Sequence, residues 1–255
     1  MPELLTDEQL KLAEKTHSFA ERHLLPVDSG IDSTTRAKII AASQEAGFFA
    51  MTQPAEFGGT EAGALDLTIV RDTLGACNAP YQNLVFGPGP GVLAGADGRL
   101  RESHLKPLLT GEKRAGFGFT EPDDAPAPTS AVPDGDHWRV NGQKSYVTGG
   151  ADADFINTLV HIPDQGPGLL VVDCNTPGVT LTRRFESLDA GLLTGHAHHP
   201  RAAPAEPNHA ALLPAPVVVL DHLRDSLDET GAILADYGQH QRTHASPPSD
   251  GRSAV

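Results

Sequence analysis

Between Gly116 and Gly150 the chain gathers rings and hydroxyls into two short runs. The first is Phe117-Gly118-Phe119-Thr120-Glu121-Pro122. The second is Lys144-Ser145-Tyr146-Val147-Thr148-Gly149-Gly150. Such side chains offer stacking and hydrogen bonding. Taken alone, Phe117 and Phe119 also fit the core of a strand, and Thr148 fits a β-branched strand residue near a turn. A different chemistry is offered by Gly195-His196-Ala197-His198-His199-Pro200, where two imidazoles could share a strand face. No carboxylate or cysteine follows at a familiar ligand spacing, so no metal site is expected. Cys77 and Cys174 stand far apart with no CxxC pair, which points to reduced, buried thiols rather than a redox motif or structural zinc.

The elements that must position these residues change character near Arg114. The first hundred-odd residues read as helical. Thr6 and Gln9 form a capping-box pattern, with Leu5 and Leu10 as a hydrophobic staple. Leu12, Thr16, Phe19, Ala20 and His23 then share one helical face. A second helix is expected from Ser33 to a stop at Gly47, a third over Leu65 to Ala76, and a short one from Arg99 to Leu109. After Arg114, strands are expected at His137–Val140, Phe155–Ile162, Gly168–Asp173 and Val179–Arg183. The Asn141-Gly142 pair predicts a hairpin turn with Lys144–Thr148 as the returning strand. The Pro-rich segment 122–133 is expected to be a loop. From Pro216 to Tyr237 the pattern is helical again, with Val218, Leu223, Leu227, Ile233 and Leu234 as an apolar stripe. The polar tail 241–255 is expected to be disordered.

The fold class expected is α+β. A helical N-terminal domain (1–113) precedes a small antiparallel β-sandwich or barrel (114–208) and one remaining C-terminal helix (209–240). The 255 residues carry a net charge of −14, which disfavours nucleic-acid binding. No basic, apolar leader begins the sequence and no apolar run approaches membrane-spanning length, so a cytoplasmic protein is expected.

Four segments, in order, resemble the acyl-CoA dehydrogenase family. They are Pro54-Ala55-Glu56-Phe57-Gly58-Gly59, Leu105-Lys106-Pro107-Leu108-Leu109-Thr110-Gly111-Glu112, Phe117 to Pro122, and Val140 to Gly150. The resemblance implies FAD held between the β-domain and a C-terminal four-helix domain. It lays Phe117, Phe119 and Thr120 along the flavin. It sets Tyr146 where the family often has Trp against the isoalloxazine, and Thr148 where a hydroxyl contacts flavin N5. These residue types suit the task, because a flat conjugated ring wants aromatic walls and its heteroatoms want preset donors.

The resemblance also implies the reaction, α,β-oxidation of an acyl thioester borne by CoA or a carrier. A carboxylate takes the α-proton as hydride moves to the flavin. The sequence departs from the family at two places. Asp123-Asp124-Ala125-Pro126 replaces the usual small residues and Ser-Asp pair, so Pro126 stands where a serine is common. In the Leu227–Ala232 segment, Thr230 falls at a position some members use for the base, and Gly231 where arginine is common. Glu229, one residue away, is the candidate base. The alternative expectation is a non-catalytic or inactive relative that binds a helical partner, either a second copy or a related subunit.

Overall fold

The computed structural model describes residues 5–27, 30–135 and 137–181, and the backbone of 211–214. The expected helix at Pro216–Tyr237, Glu229, the histidines at 196, 198 and 199, and the tail 241–255 lie outside the described residues.

The helical unit opens with α1 (Asp7–His23). Its capping box is complete. Thr6 N–H donates to Gln9 Oε1 at 2.9 Å, and Gln9 N–H donates to Thr6 Oγ1 at 3.3 Å. Thr16, Phe19 and Ala20 are buried on the expected face. Helix α2 (Ser33–Ala46) starts on Asp32, which accepts from Thr35 N–H. It ends at Gly47, whose φ of 78° is the left-handed stop that glycine adopts without strain. Helix α3 (Ala64–Ala76) packs against α1, and Phe19, Leu24, Phe48, Val70 and Leu74 fill the core between them. The last helical stretch has three pieces: α4 (Gly98–Leu100), a π-helical turn (Arg101–Leu105) and α5 (Lys106–Leu109). No helix among the described residues is long and apolar enough to cross a membrane.

A six-stranded sheet follows: β1 (Ala115–Gly118), β2 (Ser130–Asp134), β3 (His137–Asn141), β4 (Phe155–Ile162), β5 (Gly166–Asp173) and β6 (Ala211–Pro214). A helical unit followed by a β-unit is the expected order, but the sheet is mixed. β1 and β4 are parallel neighbours, with Phe117 beside Asn157. The long connection between them brings β4 in along the same direction as β1, which a short hairpin cannot do. The antiparallel pairs are β2–β3, β3–β6 and β4–β5.

Three local expectations change. First, Asn141-Gly142 is not the hairpin turn. The hairpin joins β2 to β3 through Gly135, at φ 64°, after Asp134. Gly142 serves close approach instead: a Cβ there would collide with the Thr129 backbone and side chain. Second, the segment expected to be a loop ends in strand β2. Pro133, which has no N–H to give, fits because β4 meets β2 only at Ser130–His161. Third, residues 179–181 form no strand. Val179 instead packs on the Ala131–Val160–Leu170 core.

The two units meet through β4. Phe155 is buried among Leu93, Leu100, Leu105 and Leu108 of the helical unit. His104, from the π-helical turn, sets its ring edge-on to Phe155 at 4.8 Å, and its Nε2 lies 3.0 Å from Asp173 Oδ1 at the end of β5.

Candidate functional site

The two runs of rings and hydroxyls meet at the edge of the sheet. Phe117 N–H donates to Thr148 O at 3.2 Å, and Ser145 N–H donates to Thr120 O at 2.8 Å. Phe117 and Thr148 form an antiparallel bridge. The regular register stops there, because Tyr146 leaves the extended backbone at φ 54°. Segment 144–148 still returns as a paired segment, but beside β1 rather than β3.

The side chains then divide between two faces. Phe117 and Phe119 stack at 4.4 Å with rings 12° from parallel. Phe117 is 42% exposed and Tyr146 58% exposed, and Thr120 and Thr148 are exposed beside them. Tyr146 sits at φ 54°, an uncommon conformation for a large residue. Val147 points the other way and is fully buried with Ile156. Gly116 and Gly118 let these side chains lie close behind β1. A Cβ on Gly118 would stand 3.1 Å from Ile156 Cγ2 and 3.4 Å from Lys144 Cγ.

An ion pair, buried at its lysine end, fastens the two runs from behind. The Lys144 side chain is only 3% exposed, and its Nζ donates to Glu121 Oε1 at 2.7 Å and to Phe119 O at 3.1 Å. Glu121 Oε1 also accepts from Thr129 N–H at 2.8 Å, and Thr129 Oγ1 donates to Gln143 O. Burial pushes the Lys144 ammonium below its ordinary pKa, against the pull of Glu121. For Glu121, burial raises the pKa, but hydrogen bonds from Lys144 and Thr129 outweigh it and leave the carboxyl below its ordinary value. Reading the sequence singles out neither Lys144 nor Thr129. A lysine in an alternating run looks solvated until its partner 23 residues upstream is brought to it.

Of the residues the sequence proposes for cofactor contact, Phe117, Thr120, Tyr146 and Thr148 are exposed and Phe119 is half-buried, stacked on Phe117, all on two hydrogen-bonded segments. Asp123 and Asp124 lie in an exposed turn, turned to solvent. Ser103, His104 and Asp173 fall in line, with Ser103 Oγ 2.8 Å from His104 Nδ1, but they do not make a nucleophile. The Ser103 hydroxyl hydrogen goes to Arg99 O at 2.7 Å, so His104 has no serine proton to take. Cys174 is pushed up to about 11, by burial first and then by Asp154 and Asp173, which makes it an unreactive thiol. Among the described residues no three His, Cys, Asp or Glu side chains gather as metal ligands.

The surface fits a planar aromatic group with heteroatoms. It carries exposed rings and hydroxyls, and one buried acceptor on the residue paired with Phe117, Asn157 Oδ1, lacks a donor.

Comparison with known proteins supplies the family. The acyl-CoA dehydrogenase N-terminal domain matches residues 6–112, and the acyl-CoA dehydrogenase middle domain matches residues 116–193. The chain belongs to the acyl-CoA dehydrogenase family. Among curated relatives, it is 28% identical over 189 residues to a 3-(aryl)acrylate reductase of Clostridium sporogenes, covering 68% of this chain and 50% of that protein. A glutaryl-CoA dehydrogenase of Mycobacterium smegmatis, solved in complex with FADH2, shares the fold at 22% identity and TM-score 0.61, covering 84% of this chain and 57% of that one. The ChsE4–ChsE5 complex of Mycobacterium tuberculosis does so at 20% identity and TM-score 0.62, covering 89% and 62%. The chain spans about half the length of the curated relatives it matches.

Proposed function

We propose that this chain supplies the flavin-facing wall of an FAD-dependent dehydrogenase that oxidises an acyl thioester to its α,β-unsaturated product. The observation that carries this reading is the hydrogen bonding of 117–120 to 145–148, which brings the exposed Phe117, Thr120, Tyr146 and Thr148 and the Phe119 ring stacked on Phe117 into one neighbourhood. When bound, FAD provides the hydride acceptor. The residues of this chain do the rest. Phe117, Phe119 and Tyr146 cover an aromatic face and exclude water from it. The Thr120 and Thr148 hydroxyls give oriented hydrogen bonds at its edge. Glu229 is proposed as the base that takes the α-proton of the thioester. The membership of the family and the FADH2-bound relative support the cofactor.

The test is a titration of the purified chain with FAD, followed by flavin fluorescence and visible absorbance. Micromolar binding is expected, because an exposed wall contacts only part of the cofactor. No binding at high micromolar FAD refutes the reading. A Glu229→Gln variant that reduces an electron-accepting dye with acyl-CoA as fast as wild type removes Glu229 from the mechanism.

A second reading has one observation in its favour: Phe117 and Tyr146 are large and exposed on two hydrogen-bonded segments, as at an interface. In it the chain is a subunit whose flavin wall is covered by a second copy or a related helical chain. The pairing of two chains in the ChsE4–ChsE5 relative supports it. Light scattering that finds a monomer over a wide concentration range, with and without FAD, refutes the second-copy form.

A further inference from the structure

Strand β4 packs Phe155, Ile156, Leu159, Val160 and Ile162, and it carries the buried polar residues Asn157 and Thr158 among them. Asn157 is only 7% exposed, and among the described residues its Oδ1 is the one buried side-chain oxygen or nitrogen without a hydrogen-bond partner. Its backbone neighbours fix where it points. Asn157 pairs with Phe117 across the parallel β1–β4 ladder and with Val171 across β4–β5. Paired residues share a face of a sheet, so Asn157 lies on the Phe117 face. Two residues away on that face, Phe155 is sealed by the helical unit. Asn157 therefore sits at the inner end of the candidate site, where the exposed wall runs into the seam between the units.

Thr148, Phe117 and Asn157 form a row across three adjacent backbone segments. At about 4.8 Å per step the row spans ~10 Å, the length of a three-ring aromatic system. A buried acceptor with no donor destabilises a fold, and an apolar residue of the same size would not. The sequence carries that penalty at the position that borders the site.

We infer that Asn157 is a ligand-binding residue whose carboxamide oxygen accepts a hydrogen bond from an N–H or O–H of the molecule laid on the Phe117 face. Oδ1 is closed to solvent, so the bond requires the side chains beside it to move as the ligand seats. Two molecules of the proposed reaction carry such donors. The flavin has its ring N–H and ribityl hydroxyls, and the pantetheine arm of an acyl-CoA has its amide N–H groups. The inference rests on the flavin-wall reading above.

The experiment compares wild type, Asn157→Leu and Asn157→Ser in three measurements: thermal melting without ligand, FAD titration, and acyl-CoA titration of the FAD-loaded protein. Asn157→Leu is expected to melt about 2–6 °C higher without ligand, because the orphaned acceptor is gone. It is expected to bind one ligand about tenfold more weakly. Weakening in the FAD arm assigns the donor to flavin. Weakening confined to the acyl-CoA arm assigns it to the thioester. Asn157→Ser keeps an acceptor at the site and should fall between wild type and Asn157→Leu. Unchanged affinity in both arms, whatever the melting temperature, overturns the inference. Failure of wild type to bind FAD at all overturns the flavin reading itself.

Discussion

Removing the Lys144 ammonium should loosen the site from behind. In Lys144→Met, Glu121 loses its cation and Phe119 O loses a donor, while Thr129 N–H still bonds the carboxylate. Breaking a fully buried pair from one side costs about 3–5 kcal/mol. Glu121 keeps 28% of its side chain in water, so its share is screened and about 2–3 kcal/mol is expected. For a chain of this size that lowers the melting temperature by about 5–10 °C. Glu121→Gln should cost at least as much, because the charge left behind, Lys144, is the more deeply buried partner. The double variant Lys144→Met/Glu121→Leu removes both charges and should recover to within about 1 kcal/mol of wild type.

The pH dependence has a definite sign. The Glu121 pKa is lowered in the folded protein, so its contribution is complete above the ordinary value of 4.5 and is lost as pH falls through the lower folded value. The Lys144 pKa is also lowered, so its penalty stands at neutral pH and is relieved as pH rises toward the ordinary value of 10.5. Both groups thus make the fold more stable as pH rises, in two separate windows. Urea denaturation from pH 3 to 10 reads both, and Glu121→Gln should flatten the acid window. Single variants within about 0.5 kcal/mol of wild type, or a double variant equal to the sum of the singles, would refute the buried-pair account.

Two further outcomes follow from the packing behind β1 and the environment of β5. Gly118→Ala should destabilise by about 1–3 kcal/mol in urea, because its Cβ would press on Ile156 and Lys144, which have little room to give. Cys174, with its pKa raised to about 11, should hold about 0.1% thiolate at pH 8, so alkylation followed by peptide mass spectrometry should find it labelling hundreds of times more slowly than a free cysteine peptide.

The features legible in the sequence were those with short-range causes. The Thr6–Gln9 box, the Gly47 stop and the apolar run of β4 depend on neighbours within a few residues, and each stands where the pattern puts it. The ordered segments around Phe117 and Tyr146 carry the resemblance to the family, and both lie within the matched middle domain. Turn choice was not legible. Asp134-Gly135 and Asn141-Gly142 are both hairpin signals, and nothing local ranks them. The tertiary structure decides, because Gly142 must pass the Thr129 backbone while Gly135 is free to turn. Nor can a sequence announce that a lysine is buried or an asparagine left without a donor. Lys144 is enclosed only when Glu121 and Thr129 come to it from 23 and 15 residues away, and Asn157 is buried only when β1 and β5 pair on either side of β4. Desolvation is a property of the assembled neighbourhood, so which polar groups are costly, and hence which ones point to a ligand, was settled by the fold alone.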